Sequence, residues 1–357
     1  MGPCASVLTI AQIERPYVQD SIFPVAIPVA RNFLLGQTGL NTNPIAIETY
    51  DSLQVSVVIP TYHRPNMLLN CVASLLAGSR RPDEIVIVGR IGDDETAETI
   101  AKIDQQRHAD VKIRTAWVSV PGHVPPVETG IRTALGDLVA VVDDDVTVTL
   151  EWLSSMASHF SDPAIGVVGG RVLVPSVPPP KAKGKPGCVS WYGKIWGNLG
   201  SVTGPDSIEV DSVMEGNCVW RRDLLASLEF DPVLNFDDAA MYGLDLSLQA
   251  KKRGCKVIYD PRALVYHHIA PRAPELDRQE RGRRLFCYCR NYTYIILKRF
   301  SLWRRLVFLG WWFLVGERDA WGLGSLAFDN LSGDWHKKRY LMDVLRGKTE
   351  GIRLWLR

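Results

Sequence analysis

Val55-Ser-Val-Val-Ile-Pro-Thr-Tyr-His-Arg64 (VSVVIPTYHR) begins the regular hydrophobic pattern of this chain. Its first six residues form an almost unbroken apolar run, the mark of a strand buried on both faces of a sheet. From Pro65 to Ala77, the spacing of Leu68, Val72, Leu75 and Leu76 predicts a helix with one apolar side. The alternation then repeats: strand at Glu84–Val88, helix at Glu95–Gln106, strand at Val111–Val118, helix at Val124–Leu135 and strand at Leu138–Val142. Strands alternating with helices across short connections predict an α/β fold, an open and mostly parallel sheet flanked by helices.

Outward from this core the pattern loosens. Trp152–Phe160 and Leu244–Lys252 read as helices, the latter closed by Gly254. Gly166–Val174, Ser207–Val213, Cys218–Arg221, Lys256–Tyr259 and Ala263–His267 read as strands, and Pro178–Gly187 as a loop with no apolar side. Residues 1–53 are interrupted by prolines and read as an N-terminal extension, 54–272 as the sheet domain, and 273–357 as a basic, Trp-rich helical region.

The chain has 357 residues, 46% of them apolar and 22% charged, which excludes a wholly disordered or collagen-like protein. Its 41 Lys and Arg against 39 Asp and Glu leave +2, but the balance is uneven. Residues 278–357 hold 17 basic and 7 acidic side chains (+10), so residues 1–277 carry 24 and 32 (−8). Six of the eleven tryptophans lie in that basic segment. Seven scattered cysteines complete no zinc pattern and fit a reduced, cytoplasmic chain. The longest apolar run, Leu306–Val315, is about half of the ~20 residues that a spanning helix needs.

The sharpest chemical signal is Asp143-Asp144-Asp145, directly after the strand Leu138–Val142. Three adjacent carboxylates are costly without a cation among them. Strand alternation points Asp143 and Asp145 the same way, so both can face one Mg²⁺ or Mn²⁺ that keeps water or phosphate as its other ligands. The C-terminal edge of such strands is also where open α/β sheets bind ligands. Further acids sit at Asp237, Asp238 and Asp245, and His267-His268 ends a strand. An imidazole joining the carboxylates would shift the preference towards Mn²⁺.

VSVVIPTYHR, the segment Leu135–Asp145 (LGDLVAVVDDD) and the stretch Asp245–His267 (DLSLQAKKRGCKVIYDPRALVYH) together resemble the family 2 glycosyltransferases. The resemblance implies a GT-A fold and an inverting enzyme that uses a nucleotide-sugar donor with Mn²⁺ or Mg²⁺. It implies that Thr61, Tyr62 and Arg64 border the nucleotide, that Asp143 and Asp144 lie by the ribose and diphosphate, and that Asp143, Asp145 and His267 hold the metal. Glu215, Gly216 and Asn217 would form an acceptor-side turn. The acceptor class is a glycan, a lipid-linked saccharide or another hydroxyl compound.

The chain departs from the family pattern at three places. The acids that usually follow the second strand are replaced by Gly89-Arg90-Ile91-Gly92, so Arg90 or the later Asp93 would meet the nucleotide. Glu128-Thr129-Gly130 stands where an Arg-Asn-x-Gly-like segment is usual. Tyr242-Gly243 stands where the family carries the Glu-Asp pair that holds its general base. The base is then Asp245, Asp238 or Asp237, in that order.

The segment from Arg278 to Arg305 interleaves bases with aromatics. It reads as a solvated basic face over a packing stripe, or as a surface that rests peripherally on the cytoplasmic face of a membrane. Nucleic acid is not expected, because the acidic body would repel it. Two other functions compete with transfer: a non-catalytic sugar-nucleotide or glycan-binding module, and a sugar-phosphate nucleotidyltransferase. The latter should carry a Gly-rich loop after the first strand, and Ile59-Pro-Thr-Tyr-His-Arg64 has no glycine.

Overall fold

The structure is a computed structural model and describes residues 52–106, 110–175, 177–179, 181, 185–197, 199–236, 241–268, 281–317, 320–324 and 340–357. All of these belong to one compact unit, Ala46–Arg357. Nearly all of the expected N-terminal extension lies outside the described residues, as does part of the Pro178–Gly187 loop.

Strands β1 (Val55–Pro60), β2 (Glu84–Arg90), β3 (Lys112–Val118) and β4 (Leu138–Val142) form the parallel half of one open sheet, in the order β3-β2-β1-β4. Helices α1 (Pro65–Leu76), α2 (Asp94–Gln105) and α3 (Val124–Thr133) make the crossovers. Local chemistry sets their starts: Pro65 opens α1, and the Asp93 side chain caps α2 by accepting from the Thr96 amide at 3.2 Å.

The second half mixes directions. β8 (Asn217–Arg221) runs antiparallel to β4, and β6 (Ile165–Leu173) runs antiparallel to β8. β9 (Lys256–His267) runs parallel to β6 and carries the short strands β5 (Val146–Val148) and β7 (Ile208–Glu209) antiparallel beside it. The expected break between Tyr259 and Ala263 is absent: β9 runs through Asp260-Pro261, with a register shift opposite Gly170 and Arg171. Buried Asp260 is satisfied there by pairing its carboxylate with His159 and Arg262.

Alternate strand residues feed two apolar layers. Val55, Val57, Ile59, Ile85 and Ile87 pack with α1, α2 and α4 (Trp152–Ser158) on one face. Val58, Val86, Val88 and Val139 pack with α3, α5 (Arg222–Ser227) and α6 (Tyr242–Lys252) on the other. At roughly 25 cal/mol per Å² of apolar surface removed from water, these layers are the main stabilising term.

The C-terminal region is helical, and its helices are α7 (Arg281–Arg299), α8 (Leu302–Leu314) and α9 (Leu341–Leu356). They enclose a further apolar cluster in which Tyr292 and Trp312 rings lie 4.7 Å apart. Much of the basic character expected of a solvated face is internal. Arg290 and Lys348 are buried, Lys298 pairs with Asp231 at 2.6 Å, and Arg299 pairs with Asp245. The opposite charges of body and tail thus meet in part as ion pairs across their junction.

Candidate active site

Strand register builds the site around the acidic turn. Val142 pairs with Asn217, so the residue after Val142 meets the residue before Asn217: Asp143 lies against Gly216. Gly216 has φ +72, and a Cβ there would sit 2.2 Å from Asp143 Oδ2, so both backbone and contact require glycine. On the other side Val146 pairs with His267, which brings His267 Nε2 within 3.2 Å of Asp145 Oδ1. The His268 amide adds a 2.7 Å hydrogen bond to the Asp145 carbonyl.

The loop after β1 supplies the polar partners. Thr61 Oγ1 donates to Asp144 Oδ2 at 2.8 Å. Arg64 Nη1 bridges Asp144 Oδ1 at 2.8 Å and Asp145 Oδ2 at 3.0 Å. Burial, reinforced by Asp145 and Asp144, pushes the Asp143 carboxyl up to about 6. Burial raises Asp144 as well, although Arg64 opposes the shift. Burial would lower Arg64, but Asp144 and Asp145 outweigh it and hold the guanidinium charged. The hydrogen bond to Asp145 raises His267 against the opposing pull of burial. The site is therefore a concentrated negative charge that one arginine only partly balances.

Among the described residues, no three His, Cys, Asp or Glu side chains converge as a ready-made metal cage. Of the expected set Asp143, Asp145 and His267, the structure brings Asp145 and His267 into direct contact. A carboxylate and an imidazole in contact fit a cation that takes its remaining ligands from water and phosphate.

The expected nucleotide-side residues also gather here. The Arg90 guanidinium lies 4.6 Å from the Tyr62 ring centroid, and the Tyr62 and His63 rings are 4.0 Å apart. Asp93 is committed to holding this loop: besides capping α2, it accepts from the His63 amide at 2.6 Å. It thereby steadies His63, which has a left-handed φ of 54. Asp93 is 2% exposed, so its role in this structure is to brace the β1 loop.

The residues expected in the acceptor-side turn and those expected as the base meet different fates. Asn217 is fully buried; Trp152 Nε1 donates to its Oδ1 at 2.8 Å, and its Nδ2 donates to the Arg171 carbonyl at 3.0 Å. It is a junction between strands and not an exposed contact. Asp245 sits in the first turn of α6, which starts at Tyr242 and thus earlier than expected. It is 1% exposed, and both carboxylate oxygens are engaged by Arg299, with Gln249 Nε2 adding a third bond at 2.9 Å. Asp245, first in the expected order for the base, is thus engaged as an ion-pair anchor in this structure. Asp237 and Asp238 lie outside the described residues.

Glu215, expected in the acceptor-side turn, has a partner that no sequence pattern announced. Its Oε1 accepts from the Gly243 amide at 2.8 Å, and its Cγ lies 2.9 Å from where a Gly243 Cβ would be. Burial raises its carboxyl, against the opposing hydrogen bond from Gly243. Arg299 was also missed, because nothing local in α7 marks a partner for Asp245.

Residues 56–222 match the family model described as Glycosyl transferase family 2. O-antigen biosynthesis protein RfbC of Myxococcus xanthus is 24% identical over 230 residues, covering 60% of this chain and 17% of that protein. The chain spans less than a third of the length of this and the other curated relatives it matches. Two solved structures share the fold at 15% identity: S. aureus TarS 1-349 in complex with UDP-GlcNAc (TM-score 0.53, 84% of this chain and 82% of that one) and mannosyltransferase PcManGT from Pyrobaculum calidifontis in complex with GDP-Man and Mn²⁺ (TM-score 0.52, 85% and 87%). Residues 56–222 are thus similar to the family 2 glycosyltransferases, and the fold is GT-A.

Proposed function

We propose that this family 2 glycosyltransferase domain moves a sugar from a nucleotide-sugar donor to a hydroxyl acceptor, with inversion at the anomeric carbon. The observation that carries the reading is the arrangement of Asp143, Asp144, Asp145, Arg64 and His267 at the C-terminal edge of β4. UDP-GlcNAc in TarS and GDP-Man with Mn²⁺ in PcManGT support a sugar nucleotide as donor.

In this reading Tyr62 and Arg90 flank the base, and Asp143 and Asp144 face the ribose and diphosphate. Asp145 and His267 would hold a Mn²⁺ or Mg²⁺ ion, which when bound neutralises charge on the departing diphosphate. Arg64 holds the carboxylates in place until the donor arrives. A carboxylate on the acceptor side takes the proton of the attacking hydroxyl, a step worth ~10²–10⁴-fold. A single displacement at the anomeric carbon inverts it.

A lipid-linked or surface glycan acceptor is favoured by α8. Leu302, Trp303, Leu306, Val307 and Leu314 leave one side of this helix apolar and exposed, Trp303 to 78%, while Phe308 and Trp312 bury the opposite side. Trp191 adds a further exposed ring, and Arg304 Nε holds its carbonyl at 2.8 Å. Among the described residues no helix is long and apolar enough to cross a membrane. The stripe suits a helix lying in the headgroup region of an anionic surface.

A second reading, binding without turnover, is favoured by one observation: Tyr242-Gly243 replaces the acid pair, and Asp245 is sealed by Arg299. Incubation of the full chain with UDP- and GDP-sugars and Mn²⁺, followed by assay of nucleoside diphosphate release, separates the two. Release with one donor class supports transfer; donor binding with no release from any sugar nucleotide supports the second reading.

A further inference from the structure

The position at which the domain's usual base would stand is occupied by glycine, yet the space is not empty. Gly243 lies in the first turn of α6, and a side chain there would point at Glu215, whose Cγ and Cδ lie 2.9 and 3.1 Å from the missing Cβ. Glu215 enters from the turn before β8, 28 residues earlier in the chain, and the Gly243 amide orients it through Oε1 at 2.8 Å. Its neighbour Gly216 touches Asp143, so the same turn spans from the acidic edge to the start of α6. Among the described residues no cation pairs with Glu215, whereas Asp245 is held on both oxygens.

We propose that Glu215 is the general base of this enzyme, delivered from the turn before β8 into the space that Gly243 leaves open. The proposal rests on the glycosyl-transfer reading. In the step, the acceptor oxygen attacks the anomeric carbon and forms the new C–O bond. The bond from that carbon to the diphosphate oxygen breaks, and the nucleoside diphosphate leaves with the electron pair. The hydroxyl proton passes to the Glu215 carboxylate at Oε2, leaving Oε1 on the Gly243 amide. The exchange explains a paired departure: a bulky residue at 243 would collide with Glu215, and glycine there leaves room for a carboxylate from elsewhere.

The test uses full-length Glu215→Gln, whose amide oxygen still accepts from Gly243. Nucleotide-sugar binding is read by thermal shift with UDP-GlcNAc and GDP-mannose, and turnover by nucleoside diphosphate release. The expected result is turnover lowered by ~10²–10⁴-fold with donor affinity unchanged. Glu215→Ala combined with Gly243→Asp should recover part of the lost rate, because the carboxylate returns by the other route. Turnover of Glu215→Gln within about threefold of wild type overturns the proposal, given that removing a general base costs far more. So does loss of donor binding in step with turnover, which would make Glu215 a binding group. Wild-type protein that binds a donor without turning it over instead removes the transfer reading itself.

Discussion

Arg299 closes on Asp245 through two parallel hydrogen bonds, Nε to Oδ1 and Nη2 to Oδ2, each 2.6 Å. The pair joins α7 of the C-terminal region to the first turn of α6. Asp245 is 1% exposed, so solvent does little to screen it. Breaking such a pair by removing one partner strands a buried charge, at about 3–5 kcal/mol. Arg299→Ala and Asp245→Asn should each lower the melting temperature by several degrees. Replacing both by leucine should cost less than either single change. Thermal denaturation of the three variants checks this, and additive losses would show that the two charges are not coupled.

Asp145 answers to a different measurement. Asp145→Ala removes the carboxylate shared by Arg64 and His267, and with it the proposed cation site. Binding of a nucleoside diphosphate should fall at least tenfold in Mn²⁺ and become insensitive to the metal. Titration calorimetry with and without Mn²⁺ decides.

Gly216 tests the geometry between β4 and β8. Gly216→Ala adds a methyl 2.2 Å from Asp143 Oδ2 at a left-handed backbone position. The strain alone costs ~1–2 kcal/mol. Displacement of Asp143 should weaken nucleotide binding beyond the loss of stability. Comparing denaturation with nucleotide titration separates the two effects.

Acid stability should report on Asp260. Burial would raise this carboxyl, but hydrogen bonds from His159 and Arg262 outweigh it and hold it at about 2, below its ordinary 3.8. A depressed carboxylate contributes stability that is complete above its unfolded pKa and lost as pH falls through the folded value. The loss therefore lies between about pH 4 and pH 2. Asp260→Asn should be less stable than wild type at pH 6, with the gap narrowing across that window. Urea denaturation at pH 6, 4 and 2.5 measures it.

Exposed side chains on α8 make the membrane reading testable. Trp303→Glu with Leu306→Glu changes two residues that are 78% and 52% exposed, so the fold should tolerate both. Recovery with phosphatidylserine-containing vesicles in flotation should fall sharply. Equal recovery of variant and wild type would remove α8 as the contact.

Much of the scaffold was legible because buried parallel strands leave continuous apolar runs, as in Val55–Pro60 and Leu138–Val142. β5 was not legible, since three residues carry no period, and β9 was split wrongly because Asp260-Pro261 resembles a turn until its long-range partners are known. The acidic turn stood out because consecutive carboxylates after a buried strand are costly. What could not be seen were partners distant along the chain: Glu215 with Gly243, 28 residues apart, and Asp245 with Arg299, 54 apart. Such pairs depend on how α6 and α7 pack, which no local pattern encodes. The ion pairs of the basic tail, Lys298 with Asp231 and Arg299 with Asp245, were hidden for the same reason, because they need acids of the body far away in sequence.

On the proposed function, the edge of β4 binds a nucleotide-sugar donor through its acidic turn. Calorimetric titration of the full chain with UDP-GlcNAc and GDP-mannose in Mn²⁺, alongside Asp145→Ala, tests it most directly. The expected result is saturable binding of one donor by wild type, weakened at least tenfold in the variant. Absence of binding to either donor, or equal binding by both proteins, would contradict it.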